Sequence, residues 1–237
     1  MYVHHIQFGV RPDVYEDWAV HARNSLGSFA RMEGLALMRV YRDAEDPTRF
    51  LSLRVWRSKA DSDRALASPE MAAVSQRAKA GKYGDGFQTI SSEFMLWEHT
   101  FGREGPESYR TPQAFTNHIS VESPNLEEQP LWPAYVRNCA SVFARQKGLV
   151  SYEVMRDLSD PNHHLVLRTW RDKQASRLSP EFEPNEEVKL VVTPAKDLDF
   201  YRNTRRSRYS AWELIDAVYG PTGASDYVRF MQGLKPA

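Results

Sequence analysis

The chain has 237 residues, 31 basic against 31 acidic side chains and so no formal net charge, and one cysteine. That length holds one large domain or two of roughly 110–120 residues. The charge balance argues against a protein that holds nucleic acid or anionic lipid by bulk electrostatics, and the lone Cys139 excludes an internal disulfide framework or a Cys-based zinc cluster.

Tyr2–Val10 alternates β-branched and aromatic residues with polar ones and reads as a strand. Pro12 then opens a helix running to about Met32, with Trp18, His21/Ala22, Ser25 and Phe29 at helical spacing, and Gly34 stops it as a left-handed cap. Leu35–Arg42 and Arg49–Trp56 read as a hairpin around the Asp43–Thr48 turn. Ser62 to about Lys79 reads as a second helix and Ser91–His99 as a fourth strand. No apolar run approaches the roughly 20 residues of a membrane span. The opening MYVHHIQFGV lacks the basic start and long apolar stretch of a signal peptide, so a cytoplasmic location is expected.

The chain then repeats itself. Trp18–Lys59 lies over Trp132–Lys173 with 19 of 42 positions identical, among them Trp18/Trp132, Gly34/Gly148, Asp46-Pro47/Asp160-Pro161, Arg54/Arg168 and Trp56/Trp170. His5-Ile6 matches His118-Ile119, and Ser68-Pro69-Glu70 matches Ser179-Pro180-Glu181. Each half is a β-α-β-β-α-β unit, a ferredoxin-like α+β repeat with one bare sheet face. Two repeats packed sheet to sheet cover each other, which predicts an intramolecular pseudo-dimeric α+β barrel. The expected division is a first repeat over residues 1–100, a linker over 101–113, a second repeat over 114–204, and a C-terminal extension over 205–237. Ala211–Tyr219 and Ala224–Leu234 are read there as two short helices.

The run FLSLRVWRS…SPEM, and less closely HLVLRTWRD…SPEF, resembles the antibiotic-biosynthesis monooxygenase family of dimeric α+β barrels. The fused pair looks like the ring-opening oxygenases of angucycline pathways of the jadomycin, kinamycin and gilvocarcin types. The resemblance implies an oxygenase acting on a polycyclic aromatic polyketide, by quinone formation or oxidative C–C ring cleavage. It further implies molecular oxygen as co-substrate and no tightly bound cofactor, or reduced flavin supplied by a partner reductase. The expected partners are the aromatic substrate and such a reductase, with no nucleic acid and no membrane. The chain is expected as a monomeric pseudo-dimer or a homodimer.

The family's third-strand tryptophan falls on Trp56 and Trp170, and its asparagine four residues earlier on Ser52 and Val166. Ser52 can donate to a quinone or phenol oxygen; Val166 cannot. Arg54 and Arg168 lie between, on the same strand face, as partners for a phenolate. The related haem-degrading monooxygenases use a first-strand asparagine, which falls on His5 and His118, grouping His5 with Trp56 and His118 with Trp170; their haem-ligand position falls on Ser75 and Glu186. Neither is a usual axial ligand. His5 and His118 are the candidate bases. Asn24 and Asn138, helix residues retained in both copies against propensity, complete the substrate-binding candidates. Each has an ordinary alternative: a core-filling aromatic, a satisfied core histidine, a surface asparagine. No metal-ligand spacing occurs. The rival functions are a non-redox cyclase or isomerase, a binding protein for the same ligands, or a haem-binding monooxygenase.

Overall fold

A computed structural model of the chain describes residues 1–80, 92–105, 114–122, 132–177 and 206–233. The first repeat runs β1 (Tyr2–Gly9), a 3-10 turn (Pro12–Val14), α1 (Tyr15–Phe29), β2 (Leu35–Asp43), β3 (Arg49–Trp56), α2 (Lys59–Leu66), α3 (Pro69–Ala80) and β4 (Ser92–Glu104). The second runs β5 (Phe115–Glu122), α4 (Trp132–Phe143), β6 (Leu149–Asp157), β7 (His163–Trp170), α5 (Lys173–Arg177) and β8 (Arg206–Tyr219), after which α6 (Gly223–Met231) closes the described chain.

Two compact units result, Met1–Glu98 with Leu214–Phe230, and His99–Glu213 with Met231–Gly233. Strands β4 and β8 each cross the boundary, giving one half to either unit. The order is therefore β4-β1-β3-β2-β8 in the first unit and β8-β5-β7-β6-β4 in the second, the closed order of an antiparallel barrel. The expected α+β architecture is present, with two corrections. Ala211–Tyr219 is not helical; it is the last nine residues of β8, the counterpart of β4 and the missing fourth strand of the second repeat. The first four residues of the expected linker belong to β4, which runs on to Glu104. Of the two C-terminal helices, only α6 forms.

Local chemistry explains the elements. Ser58 caps α2 by accepting from the Asp61 N–H, and Asp172 does the same for α5 through the Ala175 N–H. The single helix expected over Ser62–Lys79 is two, broken at Ser68, with Pro69 starting α3. Gly34 and Gly148 have φ of +84° and +90°, and a Cβ on either would stand 2.5 Å from Asp61 or 2.7 Å from Ala175. In both hairpins an aspartate closes the turn: Asp43 Oδ1 accepts from the N–H groups of Glu45 and Asp46, and Asp157 Oδ1 from those of Ser159 and Asp160. The first core packs Trp18, Leu26, Phe29, Met38, Phe50 and Trp56, with Trp18 and Phe50 ring centroids 4.2 Å apart. The second packs Val136, Ala140, Phe143, Tyr152 and Trp170. Each large side chain removed from water in these cores contributes roughly 1.5–3 kcal/mol.

Candidate functional site

Antiparallel register decides which side chains share a face. In the first unit His4 pairs with Arg54 and Ile6 with Ser52 across β1 and β3, while Met38 and Val40 face the same two residues from β2. With a side-chain period of two, Ser52, Arg54 and Trp56 project together toward α1 and α3, where Arg54 lies over the Phe29 ring at 4.3 Å. Arg54, Trp56 and Ser52 are thus on one face, as expected. His5 is not among them. It pairs with Leu53 and Met95 on the opposite face, where its ring lies 5.9 Å from that of Trp97. The histidine beside Trp56 is His4, one residue earlier; a one-residue slip exchanges the faces.

His4 is fully buried and spans two partners: Trp56 Nε1–H donates to its Nδ1 at 3.3 Å, and its Nε2 lies 2.7 Å from Ser62 Oγ. Indole is a donor only, so Nδ1 is the bare nitrogen and Nε2–H donates to the serine. Burial, reinforced by the Arg54 charge, lowers the His4 pKa to about 3. His4 is therefore a neutral strut that fixes the Trp56 indole, with both nitrogens engaged.

Arg54 is in a different state. Its Nη1 donates to Met71 Sδ at 3.3 Å, a weak acceptor, and its buried Nε has no hydrogen-bond partner among the described residues. Burial lowers its pKa to about 10, still charged at any working pH. Ser52 Oγ, also buried, likewise lacks a partner. A cation with no carboxylate partner and a hydroxyl with no hydrogen-bond partner among the described residues thus share one sheet face beside an anchored tryptophan.

The second unit repeats the scaffold with altered groups. Asn117 pairs with Arg168 and Ile119 with Val166, and Arg168 lies over Phe143 at 4.3 Å, as Arg54 does over Phe29. Trp170 meets Phe143 edge-on. Asn117 occupies the place of His4 and donates through Nδ2 to the Tyr209 hydroxyl, while Trp170 Nε1 and Asn117 Oδ1 are buried without partners among the described residues. His118 faces away, pairing with Leu167 and Ser210, its ring 6.3 Å from Trp212. The grouping of His118 with Trp170 is corrected for the same reason as that of His5 with Trp56.

Asn24 and Asn138 are both exposed on their helices, and their backbone carbonyls accept from Ser28 and Ser141 hydroxyls, so neither reaches the sheet face. Glu186 and the side chain of Ser75 lie outside the described residues. In the first unit a cleft of about 550 Å³ opens between the end of α1 and α2–α3, bordered by Met32, Ala65, Ser68 and Glu70. Ala65 also belongs to the core that holds Trp56, and Met32 packs against it. His4 and Asn117 were missed because strand parity has to be counted from the pairing; the signal available was that Phe8, Phe50 and Trp56 must share the apolar face.

Among the described residues no group of three or more His, Cys, Asp or Glu could hold a metal ion, and no helix is long and apolar enough to cross a membrane. Three solved structures share the fold over almost their whole length. A candidate monooxygenase of Fusobacterium nucleatum has a TM-score of 0.74 at 8% identity, covering 92% of this chain and 94% of its own. One of Lactobacillus acidophilus has 0.69 at 10%, covering 92% and 96%. An anthrone oxidase-like protein has 0.63 at 14%, covering 94% of each. No curated protein sequence matches the chain. The family model for antibiotic biosynthesis monooxygenase matches residues 1–77 and again 115–182, one match per repeat, and on that evidence the chain belongs to the antibiotic biosynthesis monooxygenase family.

Proposed function

We propose that the chain is a monooxygenase that oxidises a polycyclic aromatic polyketide of angucycline type, forming a quinone or cleaving a ring C–C bond. The observation that carries this reading is Arg54: a half-buried arginine whose buried Nε has no partner among the described residues, beside Ser52 and Trp56. A phenolate oxygen is the complement of that group, through a charge-assisted hydrogen bond of about 1.5–3 kcal/mol. By holding the anion, Arg54 favours ionisation of the phenol and raises the electron density from which dioxygen is reduced. Ser52 donates to a second ring oxygen, and Trp56, fixed by His4, supplies the wall. The cleft is the entry, and the unbranched Met32 and Met71 are the side chains that yield to a flat substrate. Arg168 and Trp170 offer a related surface in the second unit. Molecular oxygen is the oxidant. Reduced flavin from a partner reductase is the added reductant if the reaction is ring opening. His5 and His118 have no step on this face. The anthrone oxidase-like relative supports the substrate class by analogy of fold.

The test is oxygen uptake with a reduced polycyclic quinol or anthrone, with and without a flavin reductase system. Uptake without flavin supports cofactor-free oxidation. Uptake only with reduced flavin, above the flavin's own autoxidation, supports ring opening. A product of changed skeleton without uptake would replace the oxygenase reading by a cyclase or isomerase.

A further inference from the structure

Away from these faces, three side chains on adjacent strands of the second unit form a connected chain. Ser120 Oγ on β5 lies 2.7 Å from His163 Nε2 at the start of β7, and His163 Nδ1 lies 3.2 Å from Asp157 Oδ2 at the end of β6. Ser120 faces Leu165 across the ladder, so His163 is its diagonal neighbour on the same face. The polarity is opposite to that of His4. A carboxylate can only accept, so Nδ1 of His163 carries the proton and Nε2 is the bare nitrogen that accepts from the serine hydroxyl. Asp157 is held in place independently. Its Oδ1 accepts from the N–H and hydroxyl of Ser159, leaving Oδ2 for the imidazole. Although burial acts to raise its pKa, these bonds and the one from His163 keep the carboxyl below the usual aspartate range.

The first unit shows what a merely structural version of this chain looks like. At the equivalent positions Arg49 Nη1 lies 3.2 Å from Asp43 Oδ2, and Arg49 Nη2 donates to Gln7 Oε1 at 3.3 Å. Tying three strands at this corner therefore needs neither a histidine nor a serine, and a guanidinium cannot take up a proton. The second copy keeps the tie and installs a nucleophile, a base and the group that orients the base. Both distances lie within the range expected of nucleophile–base and base–orienter contacts. Ser120 and His163 are part-exposed, and Arg208, the cross-strand partner of Ser120 on β8, places an exposed cation beside the hydroxyl.

We propose that Ser120, His163 and Asp157 form an acyl-transfer site for small esters, separate from the monooxygenase site. Ser120 Oγ attacks the ester carbonyl while His163 Nε2 takes its proton. Arg208 stands where it can meet the developing oxyanion. The C–OR bond breaks, the alcohol leaves with the proton from His163, and water, activated by the same nitrogen, hydrolyses the acyl-serine. No redox partner is required.

The experiment treats the full chain with a fluorophosphonate probe, whose phosphorus takes the serine oxygen as fluoride leaves, and maps the labelled peptide; hydrolysis of p-nitrophenyl acetate is followed in parallel. Labelling is expected at Ser120, absent in Ser120→Ala and slower by on the order of 100-fold in His163→Ala. The double variant Ser120→Gln with His163→Arg copies the first unit's tie, so it should melt near the wild-type temperature yet take no label. Absence of label at Ser120 in the wild type, or labelling undiminished in His163→Ala, would overturn the proposal. The two single variants carry the test if the double one does not fold.

Discussion

Replacing Arg54 by methionine should make the protein more stable and the enzyme worse. Arg54 is half-buried, so keeping its guanidinium charged at a site whose burial lowers its pKa to about 10 costs the fold at most about 3 kcal/mol. Because the folded pKa lies below the unfolded one, that penalty is fully present at neutral pH and is relieved only as pH rises past about 10. The cation–π contact with Phe29 returns about 1–2 kcal/mol. Methionine keeps the unbranched stem against Phe29 and Met71 without the charge. The net gain, at most about 2 kcal/mol, corresponds to a rise in melting temperature of at most about 8 °C for a chain of this size. Oxygen uptake with the anthrone should fall about 10²–10³-fold, as when a principal oxyanion partner is removed. A melting temperature that falls by several degrees would refute the reasoning, since Arg54 would then be a structural ion-pair member. A stabilised variant with full activity would refute its catalytic role.

The buried histidines predict acid sensitivity. His4 and His164 have pKa values lowered to about 3 and about 4, chiefly by burial, so the folded state resists protons that the unfolded chain binds below about pH 6.5. Urea unfolding at pH 5 should show about 2 kcal/mol less stability per histidine than at pH 7, and His4→Asn, which copies Asn117, should remove its share of that difference. Gly148→Ala forces a left-handed backbone and a Cβ into Ala175, and should cost about 2–4 kcal/mol in the same assay; an effect below 1 kcal/mol would contradict the geometry. Ser52→Val, which copies residue 166, removes a buried hydroxyl without a partner among the described residues; it should raise stability by about 1 kcal/mol and lower oxygen uptake with a substrate that Ser52 holds.

Legibility in the sequence followed how local each signal was. The repeat placed Gly34 with Gly148 and the two Asp-Pro turns, and these signals are local: a positive φ, an Asx turn, a helix cap. Strand β3 was readable to the residue because Arg49–Trp56 alternates and the Asp43–Thr48 turn bounds it. Strand β8 was misread because Ala211, Leu214, Ile215 and Val218 fall at helical spacing among helix-forming neighbours. Pairing with β5 from Arg206 to Glu213 overrides that propensity and buries Trp212. The site was half legible. Residues 52, 54 and 56 share a face by parity alone, but which residue of β1 joins them depends on the register between distant segments, and that register selected His4 over His5. Asn24 and Asn138 were singled out by retention in both copies, and on a helix retention does not say which way a side chain points.

The two copies have diverged at the residues that touch their tryptophans, and this makes a paired prediction possible. Trp56 donates to His4, which donates to Ser62; Trp170, equally buried, has an indole N–H without a partner among the described residues. Substituting phenylalanine removes similar volume in each case, so the packing loss should be comparable. Trp56→Phe additionally strands His4 Nδ1, a buried acceptor, whereas Trp170→Phe deletes a donor that was already unsatisfied. Trp56→Phe should therefore be the more destabilising by about 1–3 kcal/mol in urea unfolding. Equal losses would mean that the His4 strut contributes nothing. In the oxygen-uptake assay the ranking answers a separate question: a larger loss of rate in Trp56→Phe places turnover in the first unit, where Arg54 and Ser52 stand together, and a larger loss in Trp170→Phe moves it to the second, where the free indole N–H and the Asn117 carbonyl would then be the groups that meet the substrate.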